Sequence, residues 1–455
     1  MPAPRPLGDV SGVQEGDVNQ SPRRRRYVET QLDEASAAMV DADAELFLHQ
    51  SLSTPCLDAI RRCEGIYLET ASGRRLMDFH GNSAHQVGYG NPRVVEAIRR
   101  QLEELPFCPR RFTNRMAIDL ARKLTSLAPK PLRKVLFAPS GAVAIGMAMK
   151  LARLSTGRHK TLSMWGAFHG ATLEVASVGG EGLFRDGLGP LLPGAEHAHP
   201  PFPYRCVYGC GGACDLRCAN YLDSVLASDH DIGALIAEPV RCTVVAPPPP
   251  GYWQQVREAC DRHGVLLVFD EIPTCLGRTG HMFACQAVGV TPDVLVIGKG
   301  LGGGIVPMAA VIARADLDVA GARAIGPYTH EKSPIGCAAA LATIECIEAD
   351  GLPEHTRELG GHAMRRLTEL KRRHPLIGDV RGVGLLIGIE LVKDHATREP
   401  AGDAAEAVMY EAMRRGLNFK VSGGNVLTLT PPLVITRQQL DEAIDILDAS
   451  LAALL

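Results

Sequence analysis

A carboxylate pair and a lysine stand at the ends of two short apolar runs. Val265–Phe269 leads into Asp270-Glu271, and Val294–Ile297 leads into Gly298-Lys299-Gly300. Both runs are aliphatic or aromatic throughout. That pattern suits strands buried on both faces, as in a parallel sheet covered by helices. Ligands of open parallel sheets sit beyond the carboxyl ends of the strands, so both side chains are expected in one crevice. A lysine there can form a Schiff base, and an acid can keep a pyridinium nitrogen protonated, which together suit pyridoxal phosphate. The bland alternative is a buried Asp–Lys ion pair that only shapes the crevice, and spacing alone leaves both open.

Other residues could meet an anion. Val135–Ala138 reads as a strand running into Pro139-Ser140-Gly141-Ala142 and then a helix through Arg153. Strand, small-residue turn and helix make a phosphate site, because free N–H groups and the helix dipole both face the anion. Arg110 and Arg111 precede the helix Met116–Leu127. They could grip an anion or be surface charges. Cys206, Cys210, Cys214 and Cys218 recur every fourth residue. A metal site is the bold reading, but zinc sites favour tighter CxxC pairs, so free thiols are the expectation.

These residues need elements to hold them. Residues Met1 to about Arg26 are polar and without periodicity, and read as an arm, with Arg23–Arg26 solvated. A helix is expected from Tyr27 to about His49. Ile66–Glu69 and Arg75–Phe79 read as strands joined at Ala71-Ser72-Gly73, followed by a helix from Asn91-Pro92. Between them lies an unusually polar loop, His80-Gly81-Asn82-Ser83-Ala84-His85-Gln86. Further strands are expected at Thr161–Met164, Ile232–Ala237 and Ala309–Ala313. A long helix is expected over Gly336–Ala349, and a final amphipathic one from Gln438.

The chain has 455 residues, 46% hydrophobic and 22% charged, with a net charge of −3. That length supports more than one domain. The charge gives no case for nucleic acid or membrane binding. No apolar stretch approaches membrane-spanning length and no N-terminal apolar segment is present, so reduced thiols in the cytoplasm are the expectation for the 13 cysteines.

The stretch DEIPTCLGRTG followed by GKGLGGG resembles the signature of class III aminotransferases, among the fold-type I pyridoxal-phosphate enzymes. The resemblance runs from about Gly65 to the C-terminus. It implies an α/β, fold-type I PLP-dependent transferase fold: a large domain on a mostly parallel seven-stranded sheet, plus a small α+β domain. The implied divisions are an arm at 1–40, the first part of the small domain at 41–95, the large domain at 96–335 and the rest of the small domain at 336–455. It implies that Lys299 carries the cofactor and then acts as acid–base catalyst, with Asp270 on the ring nitrogen. Ser140, Gly141 and Ala142 cradle the phosphate. Phe168 and Ile272 pack on opposite ring faces, with His169 and Glu238 also lining the site. Thr329 reaches the phosphate of the neighbouring subunit, so a homodimer with shared active sites is implied.

Departures from the family pattern bear on the reaction. Pro273 stands where a glutamine bonds the ring oxygen, and proline offers neither a donor side chain nor an N–H. Thr428 stands where many members carry the arginine that binds an α-carboxylate, so that clamp is missing. His85, Arg110, Arg111, Arg241, His330 and Lys332 are the candidate substrate residues, and the cations among them suit an anionic group. HGNSAHQVGYG and YTHEKSP resemble lyase members of the family. That likeness implies ammonia elimination from a small hydroxylated aminophosphonate, giving phosphonoacetaldehyde. A protonated His85, His330 or Lys299 would help hydroxide depart. The rivals are an ω-aminotransferase and a non-catalytic binding protein on the same scaffold.

Overall fold

The computed structural model describes residues 21–210 and 214–454. Its centre is a seven-stranded sheet. From edge to edge the strands are Leu132–Ala138, Ala309–Arg314, Val294–Ile297, Leu266–Asp270, Ile232–Ala237, Lys160–Met164 and Ala195–Ala198. Ala309–Arg314 runs antiparallel to both neighbours. The remaining pairings are parallel. The three central strands Ile232–Ala237, Leu266–Asp270 and Val294–Ile297 are buried at every residue, which is why their sequences show no alternation. Helices such as Gly141–Thr156 and Tyr252–His263 cover the faces.

Two smaller sheets flank this core. Ile60–Glu64, Tyr67–Thr70 and Arg75–Asp78 form an antiparallel meander, and the late strand Leu417–Asn418 adds in parallel to Arg75–Asp78. The turn before Arg75 places Gly73 at φ 86°, a region that favours glycine. The second sheet is ordered Ile377–Val383, Leu386–Leu391, Val426–Leu429, Lys420–Ser422, antiparallel throughout. Helices Leu352–Arg373, Gly402–Arg414 and Arg437–Ala452 accompany it.

Several expectations shift. The Arg23–Arg26 run is not part of an unstructured arm. It lies in the helix Pro22–Gln31, capped by Ser21, and Arg24 is buried with a bond to the Pro55 carbonyl at 2.7 Å. The helix expected from Tyr27 to His49 is two helices, Pro22–Gln31 and Glu34–Leu46, broken where Asp33 caps the second. The first twenty residues of the expected arm lie outside the described residues, as do Gly211 and Gly212 of the cysteine segment. Cys206 and Cys210 are half-buried, Cys214 is exposed and Cys218 is buried, all four as free thiols. Among the described residues, no group of three side chains could hold a metal ion. No helix among them is long and apolar enough to cross a membrane.

Candidate active site

Asp270 and Glu271 end one strand but face different ways. Asp270 is 1% exposed. Its Oδ2 lies 2.7 Å from His169 Nδ1, and its Oδ1 accepts the Ile272 N–H at 3.0 Å. His169 Nε2 in turn lies 3.3 Å from Ser163 Oγ. Both oxygens of the buried carboxylate are thus held by a partner. Glu271 points away and accepts from the N–H groups of Ala284 and Cys285, at the start of the helix Ala284–Val288. Burial pushes its carboxyl up to about 7. Glu271 therefore anchors the chain behind the strand, and Asp270 alone faces the crevice.

Lys299 follows the next strand over, where Val296 pairs with Asp270. Its backbone sits at φ 48°, a strained region for a residue with a side chain. The neighbouring Gly300 has no room for one, since a Cβ there would lie 1.8 Å from Gln86 Oε1. The charge on Lys299 reaches His80 on one side and Cys242 on the other. Cys242 also feels Glu238 and Asp270, and burial pushes its thiol up to about 12. Lys299 and Asp270 stand at the carboxyl ends of neighbouring strands, and the polar loop reaches the lysine's turn where Gln86 lies against Gly300.

The third wall is the turn before the helix Gly141–Thr156. Ser140 caps it, its Oγ accepting the Val143 N–H at 3.3 Å. The first N–H groups of this helix have no partner within it. Ile272 presses against the turn, because a Cβ on Gly141 would lie 2.7 Å from Ile272 Cδ1. Gly170, at φ 137°, approaches Ala142 as closely. Phe168 is half-buried and packs on Phe184 with ring centroids 4.3 Å apart. A primary amine, a doubly bonded carboxylate and a capped helix start are the donor set that pyridoxal phosphate requires, and these residues fit it.

Glu238 lines the floor, fully buried, with Oε1 accepting the Cys242 N–H at 3.1 Å and Oε2 unpartnered. Burial, then the nearby Asp270 charge, raises its carboxyl to about 7. Glu181, buried as well, is raised to about 7 by burial. Arg241 lies beside both. Its guanidinium donates to the carbonyls of Gly166 and Trp165, the latter at 3.3 Å, and to Thr243 Oγ1 at 3.4 Å. Three of its five N–H donors are thus spent within the chain.

The remaining candidates divide. His85 is fully buried; its Nε2 lies 3.1 Å from the Asp78 carbonyl. Burial pulls its imidazole down to about 4, so the expected protonated form is disfavoured. Arg110, Arg111, Thr329 and His330 are exposed. They gather with Lys332 at the surface: His330 meets the Phe107 ring at 5.2 Å, and Asn114 Nδ2 donates to the Lys332 carbonyl at 2.9 Å. Sequence reasoning missed Asp78, which fixes the polar loop by accepting from the N–H groups of His80 and Gly81, from Asn418 Nδ2 and from the Tyr89 hydroxyl. It also missed Gln86, whose buried amide has no partner among the described residues. The polarity of that loop was the available signal.

An α/β fold with a lysine, a carboxylate and a helix-capped turn converging at the strand ends defines a pyridoxal-phosphate enzyme site. The sequence profile of aminotransferase class-III matches residues 49–451, and the chain belongs to that family. It is 47% identical to (R)-1-hydroxy-2-aminoethylphosphonate ammonia-lyase of Vibrio splendidus, over 96% of this chain and 95% of that one. It is 37% identical to leucine/methionine racemase of Thermococcus litoralis, over 83% and 87%. Among solved structures it resembles an amine transaminase from an uncultivated Pseudomonas species in its PLP-bound form. That match has TM-score 0.85 and 32% identity, covering 90% of this chain and 98% of the other.

Proposed function

We propose that this protein is a pyridoxal-phosphate-dependent ammonia-lyase that converts (R)-1-hydroxy-2-aminoethylphosphonate to phosphonoacetaldehyde and ammonia. The observation that carries this reading is the near-full-length likeness to the Vibrio splendidus lyase, 47% identical. A neutral residue at the position of the α-carboxylate clamp agrees with it. Thr428 is buried, and its hydroxyl is spent on the Thr243 carbonyl at 3.2 Å and Ser422 Oγ at 3.1 Å.

Bound here, pyridoxal phosphate supplies an electron sink for the charge left when a proton departs from the carbon bearing nitrogen. In this reading Asp270 holds a proton at the ring nitrogen, and His169 fixes the position of the Asp270 carboxylate. Ser140, Gly141 and Ala142 bind the phosphate through the helix start. Ile272 and Phe168 hold the ring between them. Lys299 removes the proton from the carbon bearing nitrogen and then returns it to the hydroxyl that leaves the next carbon. Water adds back as ammonia departs, so the net change releases one ammonia and consumes no oxidant. The same reading has the protein work as a homodimer in the cytoplasm, with Thr329 of each subunit serving the other's phosphate.

The test is to supply the (R) substrate to the holoenzyme with no keto acid. Stoichiometric ammonia and phosphonoacetaldehyde are expected. Amine loss that strictly requires pyruvate or 2-oxoglutarate would instead assign an ω-aminotransferase. An absorbance band near the visible edge that persists in Lys299→Ala would overturn the role given to Lys299.

A further inference from the structure

The cysteine segment takes no part in the site described above. Cys206 follows the short helix Pro203–Arg205 and opens a turn, which the Gly209 N–H closes on the Cys206 carbonyl at 3.2 Å. Gly209 makes this turn at φ 66°, in the left-handed region. The turn brings Cys210 back to Cys206. The N–H groups of Cys210, Tyr208 and Gly209 bond Cys206 Sγ, and the Cys210 thiol lies within hydrogen-bond reach of it. Successive N–H groups curled round one atom make an anion-binding nest. Asp215 Oδ1, 3.1 Å from Cys210 Sγ, is a second acceptor for the Cys210 S–H. Both thiols are half-buried rather than sealed in the core. Cys206 also lines an open cavity of about 730 Å³, with Phe202, Tyr204 and Arg398. A small molecule can therefore reach the pair.

From this arrangement we propose that Cys206 and Cys210 form a thiol–disulfide exchange site for a low-molecular-weight disulfide, with Cys206 as the attacking thiol and Cys210 as the resolving one. The environment divides the two roles. Burial works to raise the Cys206 thiol, but the nest and the Cys210 thiol outweigh it and hold it below the ordinary thiol value. The Asp215 carboxylate pushes the Cys210 thiol up to about 12, so it keeps its proton until the first step is done. Burial pushes the core thiols of Cys218 and Cys260 up to about 11 and about 12, which leaves them inert. The Cys206 thiolate attacks one sulfur of the small disulfide. A mixed disulfide forms and one small thiolate leaves, taking a proton from water. Cys210 then attacks Cys206 Sγ. The Cys206–Cys210 bond forms, the mixed bond breaks, and the Cys210 proton leaves with the second small thiol. Two protein thiols are oxidised and one small disulfide is reduced to two thiols, so atoms and electrons balance. The sulfurs already meet across the turn, so the bond asks little of the backbone.

A turn that only needed its N–H groups satisfied would be served equally by a hydroxyl, so serine variants keep the turn and remove the chemistry. The experiment treats reduced holoenzyme with glutathione disulfide, then quenches with acid, alkylates the remaining thiols and digests with trypsin. Residues 206–217 come away as one peptide that contains Cys206, Cys210 and Cys214. It is expected to lose two hydrogens with only Cys214 alkylated, and to regain all three thiols after dithiothreitol. A further cut after Tyr208 should leave two pieces still joined. Cys206→Ser should abolish the change. Cys210→Ser should stop with one glutathione on Cys206, added several-fold faster than on the exposed Cys63 or Cys214. Cys214→Ser should behave as wild type. In urea the lead of Cys206 should vanish, because the fold supplies the nest. Three results overturn the proposal: no Cys206–Cys210 bond in excess glutathione disulfide, capture by Cys63 or Cys214 ahead of Cys206, or a lead of Cys206 that survives unfolding.

Discussion

Asp270 takes its character from the residues that bond it. The Ile272 amide lies two residues on, but the His169 ring is 101 residues away and only the fold brings it to Asp270. Replacing His169 by leucine leaves Asp270 with one of the two partners that position it. We expect kcat to fall by roughly 10- to 100-fold, in line with the loss of other orienting partners, with a shift in cofactor absorbance that a purely structural defect would not produce. His85 gives a prediction about pH. Its folded value of about 4 lies below the 6.5 of a free imidazole. Between those values the unfolded chain binds a proton that the folded chain refuses. The contribution to stability is therefore complete above about 6.5 and lost as pH falls toward 4. Glu238 and Glu271, raised by burial, act in the opposite direction between their ordinary range and about 7. Comparison with His85→Asn cancels them. In urea unfolding, the wild type should lose roughly 2–3 kcal/mol more than the variant between pH 7 and pH 4.5.

At the scale of elements, function sits where a strand stops and a helix starts. The helix Gly141–Thr156 is capped by the same Ser140 whose turn is given the phosphate. Ser140→Ala should cost about 1 kcal/mol of stability through the lost cap. It should weaken cofactor retention by more than that stability change explains. Dialysis against cofactor-free buffer, followed by absorbance, checks this, and equal retention in variant and wild type would separate the turn from the phosphate. The element boundaries show what local sequence can fix. Val294–Ile297 is a strand over the four residues expected, because its apolar run is bounded by Asp293 and Gly298. The first run shifts by one to Leu266–Asp270, since pairing with Val294–Ile297 draws Asp270 into the ladder. Ile377–Val383 and Leu386–Leu391 fold as a hairpin. It turns at Gly384, whose φ of 59° and contact with the Arg278 carbonyl leave no room for a side chain.

At the scale of the molecule, the surface around Thr329 is the part that a single chain does not explain. Phe107 and Phe112 are 41% and 63% exposed beside Arg110, Arg111 and His330. Large exposed apolar side chains grouped with arginine are typical of an interface. If Thr329 serves the partner's phosphate, two defective chains should repair each other. Lys299→Ala and Thr329→Asp homodimers should each be inactive or nearly so. Mixed dimers should regain one intact site, which holds Lys299 from one chain and Thr329 from the other. Activity after unfolding and refolding the two together checks this, and no recovery would place Thr329 at its own chain's site or at none. The N-terminal meander also depends on the whole fold, since Leu417–Asn418 reaches back to pair with Arg75–Asp78.

The sequence alone placed Lys299 and Asp270 at the ends of neighbouring buried strands. Lys299 and Asp270 end unbroken apolar runs and Ser140 opens a helix after a strand, each a matter of residue type and short spacing, while Thr428 at the family's clamp position follows from the resemblance. Which cations face the crevice was decided only by the tertiary structure. Arg241 turns to the carbonyls of a loop 75 residues away, and His85 is buried out of its charged form. A long charged side chain has many directions open to it, and packing between distant segments selects among them.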